Sequence, residues 1–325
     1  MDGTLCALAA GFVIDLIVGD PHCIPHPVAA IGKLISLGEK LLRRLFPATP
    51  SGERWAGGAL WLAVASISTI VPAAILHLCQ AFSPWLRLLV ESLMCWQILA
   101  AKSLRTESMK VCTALEGGDV EAARRAVSMI VGRDTARLDA SGITRAAVET
   151  VAENTSDGVT APLLFLAIGG APLGFFYKAV NTMDSMLGYI EPPYRDIGFI
   201  PAKLDDAMNY FPSRISALLM LASGWAQGFD LPNGWRIFLR DRHKHASPNS
   251  AQTESACAGL LGLRLAGDAW YHGALHKKPC IGDPIREIAP GDIRRACRLM
   301  YGTAFLSWLL FGGARLLARA VFPMI

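Results

Sequence analysis

The sequence predicts an all-α, polytopic helical membrane protein with re-entrant or broken helices and helical cytoplasmic connections. Three observations carry that expectation. Of 325 residues, 52% are apolar and only 18% are charged, where a soluble domain averages about 25% charged, and the mean hydropathy is +0.36. Apolar runs recur at about 4–19, 57–79, 85–101 and 299–322, with marginal runs at 158–177 and 211–226. The improbable polar residues concentrate between Arg133 and Asp206, wedged against apolar neighbours. One membrane domain over 1–325 is the organisation expected.

Residues 4–19 are apolar except for Thr4 and Asp15, and no basic residue precedes them, which argues against a cleaved signal peptide. The run is short for a span, and Asp15 within it is a functional candidate because an ionisable group at that depth is costly. Gly19-Asp20-Pro21 and His26-Pro27-Val28 follow as a turn-rich segment. Lys33, Lys40, Arg43, Arg44 and Arg54 then make a basic loop with its tip at 47–52, cytoplasmic by the positive-inside rule. Ser83-Pro84 turns the span at 57–79 into the next at 85–101, where Arg87 and Glu91 stand i, i+4 as a structural pair.

From Lys102 to Gly158 the chain is soluble in character, with Gly117-Gly118-Asp119 ending one amphipathic helix and capping the next. Ser141 is placed to cap a helix over 142–153, with Ile143, Ala147 and Val151 on its buried face. Glu149 and Glu153 then share another face, and Asp157 extends the row if the helix continues, although Ser156 and Gly158 predict fraying. Like charges at i, i+4 weaken a helix by about 0.2–0.5 kcal/mol per pair, so a cation against the row explains it better, magnesium with substrate phosphates being the natural one. The competing reading is a solvated acidic face.

The run 158–177 is broken by Gly169-Gly170-Ala171-Pro172, which predicts a hairpin that turns back as readily as one kinked span. Such a turn frees backbone groups that lipid cannot satisfy, so it should be buried against protein, the 57–101 hairpin being the nearest candidate. The run 211–226 contains Pro212 and Arg214 and is expected to lie shallow or fold back. Net charge is +4, spread over connections, which suits an anionic membrane face and phosphorylated ligands, and no nucleic-acid motif appears. Eight cysteines without a CxxC pair indicate neither a zinc site nor a disulfide framework.

Several blocks in fixed order carry a resemblance over nearly the whole chain. They are Asp15 with Gly19-Asp20-Pro21 and His26-Pro27-Val28, Val131 to Thr135, Glu149 to Asn154 with Asp157-Gly158, and Ala161-Pro162-Leu163. Tyr177 to Thr182 with Asp184-Ser185-Met186, Asp205-Asp206, and Ser247-Pro248-Asn249 complete the set. In these blocks the sequence resembles the adenosylcobinamide-phosphate synthase family of cobalamin biosynthesis, the cobinamide synthases. One departure is Ala251, where the family pattern has glycine, so a tight turn there is expected to differ.

The resemblance implies an ATP-dependent amide ligase that joins adenosylcobyric acid to aminopropanol phosphate, or to ethanolamine phosphate. It implies ATP and Mg2+ as cofactors, a multi-pass place in the inner (cytoplasmic) cell membrane, and a site facing the cytoplasm. The lipid bilayer and other corrinoid-pathway enzymes are its candidate partners, and nucleic acid is not. Such chemistry needs carboxylates for magnesium, cations for phosphates and a group that takes a proton from the amine. Glu149, Glu153, Asp157 and Asp184 are the candidate metal ligands. Arg133, Arg145, Lys178 and Lys203, with Asn154 and Asn249, are the candidate nucleotide and phosphate binders, in the absence of a P-loop pattern. His245, Asp184 and Asn181 are the candidate catalytic residues. The alternatives are a transporter of a corrinoid or other anion, favoured by the broken helices, and a scaffold for corrinoid enzymes, which leaves the carboxylates unexplained.

Overall fold

A computed structural model describes residues 2–21, 24–189, 191–271 and 273–321, and within them the chain is almost entirely helical. It divides into two compact units, the first built from segments 1–100, 161–209 and 311–325 and the second from 101–160 and 210–310. Three helices are long and apolar enough to cross a membrane, Pro50–Phe82, Ala140–Leu187 and Gly291–Val321, and Gly3–Val18 is a shorter apolar helix. The chain is therefore a polytopic helical membrane protein.

In the first unit α1 (Gly3–Val18) starts at Asp2, whose carboxylate accepts the N–H of Thr4 at 3.1 Å and pairs with Arg315 at 2.5 Å. The expected basic loop is instead mostly helix. α2 (Pro27–Leu45) begins at His26, whose Nδ1 accepts the Val28 N–H at 3.3 Å, and Asp20 lies 3.4 Å from the other ring nitrogen. Arg43 on α2 pairs with Glu39 at 2.9 Å and Glu53 at 2.8 Å. The tip shrinks to a few residues, because Thr49 caps α3 (Pro50–Phe82) through the Gly52 N–H and Pro50 suits a first helical turn. Ser83 and Pro84 then start α4 (Pro84–Ile98), where Arg87 and buried Glu91 pair at 3.6 Å. α4 packs on α1 so closely that a Cβ on Gly11 would lie 2.6 Å from Cys95 Cβ, and the Trp96 indole donates to Gly19 O at 2.9 Å.

α8 (Ala161–Leu187) is two arms rather than one rod. Gly169 and Gly170 leave helical geometry, Gly170 with φ +64°. Phe165 and Tyr177 would be about 18 Å apart in an unbroken helix, yet their rings stack with centroids at 4.9 Å. Leu166 likewise meets Gly174. The chain thus turns back on itself at the Gly-Pro break. Ile168 and Gly169 are exposed, but Gly170 is buried: a Cβ on it would lie 2.5 Å from Glu91 Oε1 on α4 and 3.1 Å from Thr4 on α1. Arg315 donates to Ala167 O at 2.5 Å and Ile168 O at 3.3 Å, satisfying carbonyls that the break releases. α9 (Phe199–Met208) completes the unit against α3 and α8.

The second unit opens with α5 (Ala101–Glu116) and α6 (Val120–Ser128), the latter capped by Asp119 through the Ala122 N–H at 2.8 Å. α7 (Ala140–Thr155) is capped by Asp139, not Ser141, because the Asp139 carboxylate accepts the Gly142 N–H at 2.7 Å. Ile143, Ala147 and Val151 are fully buried. The helix does not fray after Asn154. It widens into a π turn, Ser156–Thr160, whose Thr160 hydroxyl meets Ser216 at 3.1 Å and Ser307 at 3.2 Å. α10 (Tyr210–Ala226) and α11 (Leu231–Asp241) pack on α12 (Ser250–Leu261), every residue of which is buried. Ala251 lies inside α12 and forms no turn, so the departure from glycine costs no turn geometry. β1 (Leu265–Ala266) pairs antiparallel with β4 (Cys280–Ile281), and β2 (Ala269–Tyr271) with β3 (Ala274–His276). α13 (Gly291–Val321) starts a full turn or more before the expected 299, and Phe322 lies outside the described residues.

Gly170→Ala should destabilise the protein by about 1–3 kcal/mol, since alanine pays for the left-handed backbone and meets Glu91, whereas Gly313→Ala, with nothing within 4 Å, should be neutral. Equal thermal unfolding midpoints in detergent would contradict this. A second expectation concerns Asp241, fully buried and held by Arg240 at 2.8 Å, Lys244 at 2.7 Å and the Gly282 N–H at 2.8 Å. Burial alone raises its pKa, but these partners outweigh burial and hold the carboxyl below its ordinary 3.8. Its stabilisation is present above that ordinary value and is lost as pH falls through the lower folded one. Asp241→Asn should cost about 3 kcal/mol at neutral pH, with the difference from the native protein shrinking in acid. A constant difference would refute the assignment.

Candidate active site

The candidate residues fall into two groups, one on each unit. In the second unit α7 presents Glu149 and Glu153 one turn apart, and α12 presents Glu254. Glu149 is 3% exposed and both its oxygens are engaged: one forms an ion pair with Arg133, the other accepts the Ala266 N–H at 2.6 Å. Ala266 holds φ +57°, the one non-glycine with positive φ among the described residues, so the backbone there is strained toward the carboxylate. Glu153 is half-buried and accepts the Ser250 hydroxyl at 2.8 Å. Glu254 is 5% exposed, and its Oε2 is buried with no hydrogen-bond partner.

Burial, then the charges of Glu153 and Glu149, push the Glu254 carboxyl well above the carboxylate range, with Arg133 and Lys278 opposing. Burial and the neighbouring carboxylates thus favour its protonated form. Lys278 donates to the Tyr271 hydroxyl at 2.8 Å. His245 is held below its ordinary value by burial, against the pull of Glu153. Its Nδ1 accepts the Ser247 N–H at 3.0 Å. The proton of the neutral ring is therefore on Nε2, which makes His245 a donor in this arrangement.

The other candidates in this unit are less free than their sequence pattern implies. Asn154 donates back to Thr150 O at 3.0 Å on its own helix. Asn249 Oδ1 accepts from Arg214 at 3.1 Å and Ser213 at 3.3 Å, which ties α10 to the start of α12. Arg145, one turn before Glu149, has its Nε buried without a partner. Asp157 sits half-buried in the π turn.

In the first unit Asn181 and Asp184 on α8 gather with Asp205 on α9. Asp205 accepts from Asn209 at 3.0 Å and Asn181 at 3.5 Å, and Tyr177 donates to Asn209 at 2.8 Å. Burial, then the neighbouring Asp184, pushes the Asp205 carboxyl up to about 7. Lys178 is half-buried, and Lys203 is exposed beside Asp206 at 3.5 Å.

Among the described residues no three His, Cys, Asp or Glu side chains already converge as a metal cage. The unpartnered Glu254 oxygen nevertheless feels the charges of Glu153 and Glu149. Sequence reasoning missed Glu254, Lys278 and Asp205 as site residues. The signal for Glu254 was there: it is the lone charge in a run of small and apolar residues, Ser250 to Leu261, that forms a helix buried on all sides.

Comparison with known proteins finds relatives over nearly the whole chain. The family model described as CobD/Cbib protein matches residues 8–300. A cobalamin biosynthesis protein CobD of Clostridium perfringens is 45% identical over 300 residues, covering 92% of this chain and 94% of the relative. One of Geobacter metallireducens is 47% identical over 298 residues, 92% of each chain. A cobalamin biosynthesis protein CbiB of Salmonella arizonae is 44% identical over 315 residues, 96% of this chain and 98% of the relative. No solved structure matches. With coverage of that extent and identity well above what chance allows, the chain belongs to the CobD/CbiB family.

Proposed function

We propose that the chain acts in cobalamin biosynthesis, and that its step is the ATP-dependent joining of the free carboxyl of adenosylcobyric acid to aminopropanol phosphate or ethanolamine phosphate. The observation that supports this most is the buried carboxyl of Glu254, one oxygen of which has no partner, within the electrostatic reach of Glu149, Glu153, Arg133 and Lys278, the same carboxylates and lysine that act on His245. A purely structural ion network satisfies its members, and this one does not.

In the proposed reaction a carboxylate oxygen attacks the terminal phosphorus of ATP and ADP leaves. The amine then attacks the acyl carbon, phosphate departs, and the amine gives up a proton. Arg133 and Lys278 stabilise phosphate oxygens, and His245 donates to them through Nε2. Glu153 and Glu254 are the carboxylates available to hold a cation or take the proton, while Glu149 orients Arg133. Asp157 remains a further candidate ligand and Arg145 a further phosphate contact of this cluster; on the first unit Asp184, Asn181, Lys178 and Lys203 remain candidates of their own group. Bound Mg2+ would supply charge neutralisation at the phosphates. The basic face of α2 fits a site on the cytoplasmic side of the inner membrane. The break at Gly169 and Gly170 keeps an anion transporter as a second reading. Purified protein in detergent with ATP, magnesium, adenosylcobyric acid and each amine decides between them, since a transporter yields no amide.

Glu254→Gln should lower kcat/KM by about 100-fold while the protein stays folded. Because burial and the neighbouring charges favour the protonated form of Glu254 and a cation would compete with that proton, the apparent KM for magnesium of the native protein should fall as pH rises, and this dependence should flatten in Glu254→Gln. A variant with native turnover at limiting magnesium would refute the role. For the amine, charge-assisted phosphate contacts outweigh one methyl group, which discriminates by only about 1–3 kcal/mol. Aminopropanol phosphate and ethanolamine phosphate should both react, and unphosphorylated aminopropanol far less well; equal use of the free alcohol would contradict this.

A further inference from the structure

Beside the carboxylates lies a cavity of about 380 Å3, formed by the turn that precedes α7 and by the β2–β3 hairpin. Its walls carry Arg133, Thr135, Arg137, Trp270 and Gly273. Asp134 latches the two elements together: its N–H donates to Trp270 O at 2.8 Å, and its carboxylate accepts the Gly273 N–H at 2.8 Å. The Arg137 guanidinium lies 4.3 Å from the centre of the Trp270 ring, and among the described residues it has no carboxylate partner. Arg133, on the same wall, ion-pairs with Glu149, so the cavity adjoins the cluster proposed to handle phosphate.

We propose that this cavity holds the base and ribose of a nucleotide, with the phosphates running past Arg133 toward Glu149, Glu153 and Glu254. The inference rests on the nucleotide-dependent ligase reading and gives it an address. The Arg137 guanidinium already lies over the Trp270 indole, and a flat ring can extend that stack, since indole and guanidinium are the side-chain surfaces on which bases stack. Arg137 and Arg133 supply positive charge at separate points of one wall, which suits a ligand that carries several phosphate oxygens. The Thr135 hydroxyl and the second oxygen of Asp134 can meet ribose hydroxyls. The amine substrate has no ring and is too small for this volume, which is that of an organic-ligand pocket. The adenosyl group of the corrinoid shares the adenosine chemistry, but the two arginines favour the polyphosphate.

The test uses the full chain in detergent. Arg137→Ala, an exposed change, and Trp270→Ala should each raise the KM for ATP about 10-fold, leave the KM for adenosylcobyric acid and for aminopropanol phosphate unchanged, and weaken binding of a non-hydrolysable ATP analogue in equilibrium dialysis. Trp270→Phe should keep most of that binding, which separates stacking from misfolding. A rise confined to the KM for adenosylcobyric acid would assign the cavity to the corrinoid's adenosyl group and overturn the proposal. Unchanged nucleotide affinity in both alanine variants would also overturn it, as would a native protein that does not bind the analogue. Analogue binding that weakens in the variants of a protein that forms no amide would keep the cavity and discard the ligase reading.

Discussion

Keeping two carboxylates, Glu149 and Glu254, out of water beside the half-buried Glu153 is the constraint on which the architecture of one helical unit depends. An unpaired buried carboxylate costs several kcal/mol, so each must be met by charge, hydrogen bonds or a proton. Glu149 takes Arg133 and the Ala266 N–H, and in doing so fixes the turn before α7 and the strand β1 over the helix. Glu153 takes the first hydroxyl of α12. For Glu254, burial and the neighbouring charges favour the protonated form. The β2–β3 hairpin is likewise anchored from outside, through Asp134, because two three-residue strands are too short to be stable alone. The irregular part of the chain is thus shaped by the charges it covers.

The other unit answers a different demand, that every backbone group in apolar surroundings find a partner. A helix that turns back must release carbonyls at the turn, and Arg315 reaches two of them while it neutralises Asp2. Glycine at 170 is needed twice over, for its left-handed backbone and for the space that Glu91 occupies.

Much of the fold was legible because local signals agreed with packing. The i, i+4 spacing of Ile143, Ala147 and Val151 marked a face that is fully buried, Asp119 capped α6, and the Gly-Pro break at 169–172 is where α8 reverses. Failures came where two local signals competed. Asp139 and Ser141 are both good caps, and the carboxylate won because its oxygen reaches the Gly142 N–H. Ser156 and Gly158 have poor helix propensity, but Thr160 joins hydroxyls from α10 and α13, and that tertiary contact holds the chain in a π turn. The basic stretch around Arg43 read as a loop because its charges hid a helix on which Arg43 pairs with Glu39 one turn away and with Glu53 on α3. Of the site, the α7 acidic row was visible, since repulsive spacing is a local property. Glu254, Lys278 and Asp205 matter through neighbours far away in sequence, which spacing does not encode.

Neither unit is a contiguous stretch of chain, and that governs how the protein is made. Residues 101–160 and 210–310 interrupt the segments that form the first unit, and its last contribution begins at Phe311. During synthesis α1 to α4 and the reversed α8 must wait for α13 before Arg315 can reach Asp2 and the carbonyls at the turn. Until then those groups depend on lipid headgroups, water or the insertion machinery for partners. This unit can close only after the segment that begins at Phe311 has been made, and cutting the protein at a unit boundary cannot yield two halves that each contain a whole unit.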